Sequence, residues 1–333
     1  MFCLSIIIPV FNGASSIYNT IKSIISNETV SVFREKIEII VVDDGSTDDT
    51  KNIVLNAIFD FQDFKIFYYY QKNNGSSVAR NKGLELAIGA YIWFFDADDI
   101  LLDDDIGSIF KHILSEKVEV IAFKNAQIRN NQIYNYGCNF PVVKNRIITG
   151  IAAFKSGYNP SSVCCLIIKK DLFYKYKINF YPNITHQDVE LTAKLIINVE
   201  SIVFLDSAPY GYIYNSVSIS KSKNKSKYIK YQLDNLIVAK SLKDYSIHLD
   251  IDKKNQILKV VNNIVWNYIY HLFTSRSNID DEMYILFERE LLNSGCYPLT
   301  QFFETKFQKI TSFIFNKKIL LKFFLFLTYK VIK

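Results

Sequence analysis

Three carboxylates fall within four residues at Asp96-Ala97-Asp98-Asp99, directly after the apolar run Tyr91-Ile92-Trp93-Phe94-Phe95. The run is short, aromatic and preceded by Gly89, which is the pattern of a buried strand. Its acids then stand at the carboxyl end of that strand, the edge at which open α/β sheets bind ligands. Asp96 and Asp98 are two residues apart and can share one divalent cation through oxygen ligands. Like charges this close repel, so a cation is the natural way to keep both ionised. The plainer alternative is a solvated acidic turn with no ligand. Two further acids, Asp43 and Asp44, follow a second apolar run, and Arg80 lies between the two acidic stretches. Asp188 comes later, at the front of a predicted helix and next to His186 and Gln187.

Such groups need a scaffold to hold them, and the amino-terminal pattern supplies one. Ser5 to Val10 reads as a buried strand ended by Pro9, with a turn at Asn12-Gly13. Ser15 or Ser16 can cap a helix whose apolar positions are Ile17, Ile21, Ile24 and Ile25. Lys36 to Val42 is a second strand, after which Thr47 caps a helix containing Ile53, Val54 and Ala57. A third strand spans Lys65 to Tyr70, a helix runs from about Val78 to Ile88, and Tyr91 to Phe95 is the fourth strand. This alternation predicts a parallel sheet with helices on both faces. A dinucleotide fingerprint is absent, since only Gly13 follows the first strand, and there is no P-loop. Further on, the pattern predicts a helix over Ile106 to Leu114 and a strand over Val118 to Phe123. Asn125 to Asn145 reads as a hairpin or loop. Cys164 to Ile168 reads as a strand, Lys170 to Tyr176 as a helix, and Val203 to Leu205 and Tyr210 to Tyr214 as short strands. Ser216 to Lys230 reads as a mobile basic loop. Everything beyond it is helical, which sets a domain division at 1–220 and 221–333.

Composition limits the function classes. The 333 residues are 49% hydrophobic, ample for a large core, and the net charge is +6. That charge suits a phosphate-bearing ligand or an anionic membrane surface. No recognition helix or zinc-finger spacing supports a nucleic-acid partner. The five cysteines have no paired spacing, and Met1 leads into a strand-like segment with neither a basic n-region nor a cleavage site. These features give a cytoplasmic protein with reduced thiols. No apolar stretch reaches the roughly 18 residues of a membrane span.

Four motifs, in order, carry a family resemblance. They are Ser5-Ile6-Ile7-Ile8-Pro9-Val10-Phe11-Asn12, Val41-Val42-Asp43-Asp44-Gly45-Ser46-Thr47-Asp48, Asn74-Gly75-Ser76-Ser77-Val78-Ala79-Arg80-Asn81-Lys82-Gly83 and Phe94-Phe95-Asp96-Ala97-Asp98-Asp99. Together they resemble a family 2 inverting glycosyltransferase of the GT-A fold, over roughly residues 4 to 220. The resemblance implies an α/β, Rossmann-like and mostly parallel sheet with flanking helices, followed here by a helical carboxyl-terminal region. It implies transfer of a sugar from a nucleotide-diphospho-sugar, a UDP-sugar by preference, with inversion at the anomeric carbon. Implied donor contacts are Pro9, Phe11, Asn12, Asp43, Asp44, Arg80, Asp96 and Ala97, with Asp44 meeting the nucleotide base. Asp96 and Asp98 become the D-x-D motif that touches ribose and holds Mn²⁺ or Mg²⁺ on the diphosphate. The implied base is Asp188, the second member of the family's Glu-Asp pair. Gln187 stands where that pair has Glu, which leaves the role of position 187 open. His186 and Gln187 become contacts to the acceptor or the diphosphate, and Tyr214 to Ser220 resembles the family's closing segment. The chemistry asks for these types on its own account. A departing nucleoside diphosphate gains negative charge, and an attacking hydroxyl must lose a proton.

The expected reaction is hexosyl or N-acetylhexosaminyl transfer, metal-dependent, in the synthesis of lipopolysaccharide, capsule or a related bacterial surface glycan. The acceptor is then a glycan or a lipid-linked chain. Two alternatives stand beside it: a non-catalytic nucleotide-sugar binding module, and a phosphotransferase using D-x-D. The latter wants its motif after a first strand rather than a fourth. From residue 305 onward there are seven lysines (306, 309, 317, 318, 322, 330 and 333) and no acidic residue among many apolar ones. This gives a carboxyl-terminal helix over 307–333 that attaches to an anionic membrane surface, on the inner face of the cytoplasmic membrane. A helix packed on its own domain with a lysine edge is the alternative.

Overall fold

The chain opens with strand β1 (Leu4–Val10) and helices α1 (Ile17–Ile25) and α2 (Glu28–Val32). It continues through β2 (Ile37–Asp43), α3 (Thr50–Asp60), β3 (Lys65–Tyr70), α4 (Ser76–Leu86) and β4 (Tyr91–Phe94). This is a computed structural model, and it describes residues 2–137, 143–214, 224–274, 279–300 and 305–317. β1 and β2 are buried along their whole length, as their unbroken Ile and Val runs require of central parallel strands. Both pair in parallel, β1 with β2 and β4, and β2 with β3. The predicted parallel core is therefore present, in the order β3-β2-β1-β4.

β5 (Ile100–Leu101), α5 (Ile106–Ser115), β6 (Val120–Ala122), β7 (Asn125–Arg129), β8 (Gln132–Gly137) and β9 (Ile147–Ile148) come next. After them are α6 (Gly150–Lys155), β10 (Leu166–Lys169), α7 (Asp171–Lys175), and then α8 (Gln187–Ile196), β11 (Ile202–Phe204) and β12 (Tyr210–Ile213). The large sheet grows to eight strands by adding β10, β6, β11 and β9 beyond β4, with β10 antiparallel to both neighbours. A second sheet has four strands in the order β5-β12-β7-β8. The polar stretch after Asn125 begins with a hairpin. Asn130 and Asn131, at φ 50° and 60°, make the tight turn between β7 and β8, as two left-handed residues do in a two-residue hairpin. The remaining helices are α9 (Lys225–Ser246), α10 (Ile251–Thr274), α11 (Asp281–Asn293) and α12 (Lys306–Phe315).

Several local expectations are corrected. β1 does not stop at Pro9 but runs to Val10, and Pro9 lies opposite Val42. The N–H that proline lacks would face the β4 side, where the last bond runs from the Phe95 amide to the Ile7 carbonyl at 2.9 Å, so pairing stops there on that side while the β2 side continues to Val10. Thr47 does not cap α3; Asp49 occupies that position, and the Thr47 amide binds Asn12 Oδ1 at 2.8 Å. Ser16 stands at the α1 N-cap without a capping bond from its side chain. Lys225, Lys227 and Lys230 belong to α9 rather than to a loop, and residues 215–223 lie outside the described residues.

The chain divides into two units, Met1–Asn183 with Asn198–Asn215, and Ile184–Ile197 with Ser216–Lys333. α8 therefore belongs with the carboxyl-terminal helices, whereas the sequence division near 220 groups it with the sheet. No described helix is long and apolar enough to cross a membrane.

One close approach fixes α4 on the sheet. A Cβ on Gly83 would lie 2.2 Å from Ile7 Cγ2, and Ile7 is fully buried in β1. Gly83→Ala gains about 1 kcal/mol of helix propensity but forces a shift of a β-branched core side chain. A net loss of about 1–2 kcal/mol is expected in urea denaturation. A variant more stable than the wild type would show that the helix moves freely off the strand.

Candidate functional site

In the first unit the loops after β1, β2 and β4 share one edge of the large sheet. Asn12, at φ 51°, is in the left-handed region, which asparagine tolerates. Its amide donates to Ser46 Oγ at 2.8 Å, while its Oδ1 accepts from Thr47. The Gly13 amide donates to Thr50 Oγ1 at 2.9 Å and the Ala14 amide to Asp48 Oδ2 at 3.1 Å. The two loops are thus stitched together by side chains. Phe11 is left 52% exposed at the same edge.

Asp43 and Asp44 are both buried, and both carboxylates are engaged. Asp43 accepts from the Ser46 amide at 2.8 Å and the Tyr68 hydroxyl at 2.7 Å. Burial, and then Asp43, hold the Tyr68 hydroxyl well above its usual range. Asp44 accepts from Gln71 Nε2 at 2.6 Å and from the amides of Asn74 (2.9 Å) and Gly75 (2.7 Å). Gly75, at φ 90°, is the residue before α4. Asp44 therefore ties the end of β2 to the start of the helix that carries Arg80.

Arg80 is buried, with its guanidinium 5.4 Å from the Phe180 ring. It donates to Asp96 Oδ1 at 2.6 Å. Asp98 is exposed and has no side-chain hydrogen bond among the described residues. Its carboxyl is nevertheless held above the usual range, first by the protein crowded around it and then by Asp96. Asp99 is buried. It accepts from the Tyr210 hydroxyl and from the Ile213 amide at 2.8 Å. Burial and the charge of Asp96 push Asp99 up to about 8, against the opposing pull of Tyr210. Tyr210 also accepts from the Asp96 amide at 3.3 Å. From the other side, Thr20 of α1 donates to the carbonyls of Ala97 (2.9 Å) and Asp99 (2.8 Å).

These residues can hold a divalent cation. Among the described residues no three His, Cys, Asp or Glu side chains converge on one point. A Mg²⁺ site completed by substrate phosphates needs only one or two protein carboxylates. Asp98 supplies an unengaged carboxylate under repulsion from Asp96, which a cation would relieve.

The remaining predicted residues lie in the second unit. His186, at φ 62°, precedes α8, and Gln187 and Asp188 form its first turn. The His186 ring sits on Tyr231, 4.2 Å between centroids, with Nε2 3.3 Å from the Tyr231 carbonyl. Burial lowers its pKa, so the ring is neutral at neutral pH. The turn before α8 is fixed by buried Asp234 of α9, which accepts from the Thr185 amide at 2.7 Å and its hydroxyl at 3.1 Å. Lys230 neutralises Asp234 at 2.8 Å. One turn further, buried Glu190 pairs with Lys194 and accepts from Ser241 at 2.6 Å.

The fold thus gathers Pro9, Phe11, Asn12, Asp43, Asp44, Arg80, Asp96, Ala97 and Asp98 at the ends of adjacent strands. It sets His186, Gln187 and Asp188 on the other unit. Sequence reasoning gave no role to Asp99, Tyr210 or Asp234. Asp99 stood within a quoted motif and could have been found. Tyr210 and Asp234 carry no local signal, because their partners lie far away along the chain.

The bracing at Asp99 makes a prediction. Asp99→Ala strands two donors, and unmet buried donors cost about 1–3 kcal/mol each. A loss of about 2–4 kcal/mol in urea denaturation is expected, with Asp99→Asn closer to the wild type. Equal stability of the alanine variant would remove Asp99 from the brace.

Comparison with known proteins follows from this geometry. Residues 5–173 match the family model for glycosyl transferase family 2, slightly more than half of the chain. An uncharacterized glycosyltransferase of Escherichia coli K12, YibD, is 26% identical over 237 residues, covering 69% of this chain and 67% of that one. A crystal structure of Staphylococcus aureus TarS 1–349 in complex with UDP-GlcNAc superposes with a TM-score of 0.57 at 15% identity, over 89% of this chain and 90% of that one. A mannosyltransferase from Pyrobaculum calidifontis, in complex with GDP-Man and Mn²⁺, gives 0.53 at 14% identity, over 99% and 88%. At such identities the two structures establish a common fold, the GT-A architecture.

Proposed function

Because this chain belongs to glycosyl transferase family 2, a family of glycosyltransferases, we propose that it moves a hexosyl or N-acetylhexosaminyl group from a UDP-sugar to an acceptor hydroxyl, with inversion. The acceptor in this reading is a lipid-linked or growing bacterial surface glycan, such as lipopolysaccharide or capsule, at the inner face of the cytoplasmic membrane. The single observation that supports it most is the arrangement at the β4 end: Asp96 bound to buried Arg80, and Asp98 beside it with no hydrogen-bonded partner among the described residues. A diphosphate placed there meets an arginine already fixed in position and a carboxylate that gains from a cation. The nucleotide bound by TarS is a uridine one and that of the Pyrobaculum enzyme a guanosine one, so the donor screen includes both.

Each residue has a part in this reading. Phe11 offers its exposed ring to the base, next to the Asn12–Thr47 and Asp44–Gly75 braces that hold the pocket walls. Asp98 and Asp96 are the residues that would hold Mn²⁺ or Mg²⁺, which supplies positive charge to the departing diphosphate when bound. Asp188 takes the proton of the acceptor hydroxyl as its oxygen bonds to the anomeric carbon and the bond to the diphosphate oxygen breaks. His186, neutral and packed on Tyr231, can accept or donate one hydrogen bond to an acceptor hydroxyl.

The test is a donor screen with Mn²⁺, reading released nucleotide. Chelator should abolish release and added Mn²⁺ or Mg²⁺ restore it; full turnover in chelator would overturn the cation's part. Asp98→Asn is the cleaner substitution here. Asp96→Ala would remove the 2.6 Å bond to buried Arg80, which mixes folding with chemistry.

Asp188 makes a separate prediction. Asp188→Asn keeps the shape and removes the basicity. It should lower turnover by about 10²-fold or more while donor binding, read by calorimetry, stays near the wild-type value. Wild-type transfer by this variant would reassign the base.

A further inference from the structure

α12 is fastened to the second unit along one side only. Trp266 of α10 donates its indole N–H to Thr311 Oγ1 at 2.9 Å, and its ring lies 6.3 Å from that of Phe315. Gln308 Nε2 reaches Asn263 Oδ1 at 3.1 Å. Beyond the helix, the Asn316 side chain accepts from the Leu299 amide at 2.7 Å and donates to its carbonyl at 2.8 Å. Ser312 and Phe315 are buried on this side. The carboxyl-terminal helix, as far as it is described, is therefore part of the helical unit. Lys318, Lys322, Lys330 and Lys333, which define the lysine edge of the sequence reading, lie outside the described residues.

The opposite side is built differently. Ile310 and Phe313 are 66% and 64% exposed, and Phe307, 55% exposed, stands at the margin with its ring also 5.8 Å from Trp266; Lys306, Lys309 and Lys317 are exposed among them. At about 100° per residue the five of these within α12 share an arc of about 160°, and Lys317 follows two residues past the helix end. Lys317 Nζ stands 4.6 Å from the Phe313 ring centre. Tyr270 of α10, also exposed, extends the apolar surface, with its ring 6.4 Å from Phe307. No acidic residue occurs from Thr305 to Lys333.

A helix face meant for water carries polar side chains, not three large apolar ones. The core of a protein–protein interface is depleted in lysine. A boundary between anionic headgroups and acyl chains accepts both classes at once. Aromatic and aliphatic groups enter the acyl edge, and lysine stems lie along them while their ammonium groups reach the phosphates. We propose that Phe307, Ile310 and Phe313, framed by Lys306, Lys309 and Lys317, dock the protein on an anionic phospholipid surface. The inference rests on the functional reading only for its purpose, which is access to a lipid-borne acceptor.

Deleting the segment is a poor test, because its buried side belongs to the unit. Substitution of the outer face in the full chain is the proper one. The wild type is to be sedimented with phosphatidylcholine vesicles, with and without phosphatidylserine, beside two triple variants. One is Phe307→Ser, Ile310→Ser, Phe313→Ser; the other is Lys306→Gln, Lys309→Gln, Lys317→Gln. The wild type should bind the anionic vesicles and release them as salt rises, and each variant should bind at least tenfold more weakly. Nucleotide-sugar hydrolysis in solution should be the same for all three proteins, which also confirms folding. Absent wild-type binding, equal binding to neutral vesicles, or unchanged binding by both variants would overturn the proposal. So would a wild-type dimer that the serine variant converts to monomer without any vesicle binding, since the face would then belong to a second copy. Vesicle binding by a protein that hydrolyses no nucleotide-sugar would instead sink the functional reading and leave this one standing.

Discussion

Three carboxylates at the end of one buried strand repel one another, and each is accommodated differently. Asp96 is bound by buried Arg80, and a buried charge needs such pairing. Asp99 is turned inward and bonded to Tyr210 and Ile213, in a setting that favours its protonated form. Asp98 alone is left facing out with no bonded donor among the described residues. The division of labour follows from electrostatics: one charge compensated, one suppressed, one available. It also explains why the loop must be held from two sides, by Thr20 of α1 and Tyr210 of β12.

The same economy governs the neighbouring loops. Asp43 and Asp44 satisfy backbone amides at turns where the chain leaves a strand and no ladder partner exists. A buried amide left unmet is costly, so an acid at each strand end stabilises the turn whatever else it touches. This does not compete with a role toward ligand. A carboxylate oxygen can accept more than one bond, and the bonds that fix the loop also fix the carboxylate. Rigid placement of polar groups before the ligand arrives is what an electrostatic site requires.

α8 obeys a related rule in the second unit. Its first turn bears Asp188, and its approach is strapped to α9 through Asp234, Tyr231 and the Glu190–Lys194–Ser241 cluster. Each strap is a buried polar group matched by a partner, so the helix has a defined rotation about its axis. Apolar packing alone would allow a wider range. Such contacts fix the direction of the side chains on its first turn.

The sequence by itself determined the parallel core, because unbroken Ile and Val runs between amphipathic helices have few other solutions. It also placed Asp96 and Asp98 at the end of β4, read from type and spacing, and Asp188 at the front of a helix. Pro9 was misread as a strand end because its missing N–H interrupts only the β4 side, while the β2 side stays paired as far as Val10 and Asp43. Thr47 was misread as a cap because its partner, Asn12, lies on another strand's loop. Only the tertiary structure decided that Asp99 is a brace rather than a ligand, that Asp44 ties two elements together, and that α8 belongs with the carboxyl-terminal helices. All three depend on partners such as Tyr210, Gly75 and Asp234, which are distant along the chain. Local pattern carries periodicity and residue type, but a hydrogen bond between remote segments exists only once packing has brought donor and acceptor together.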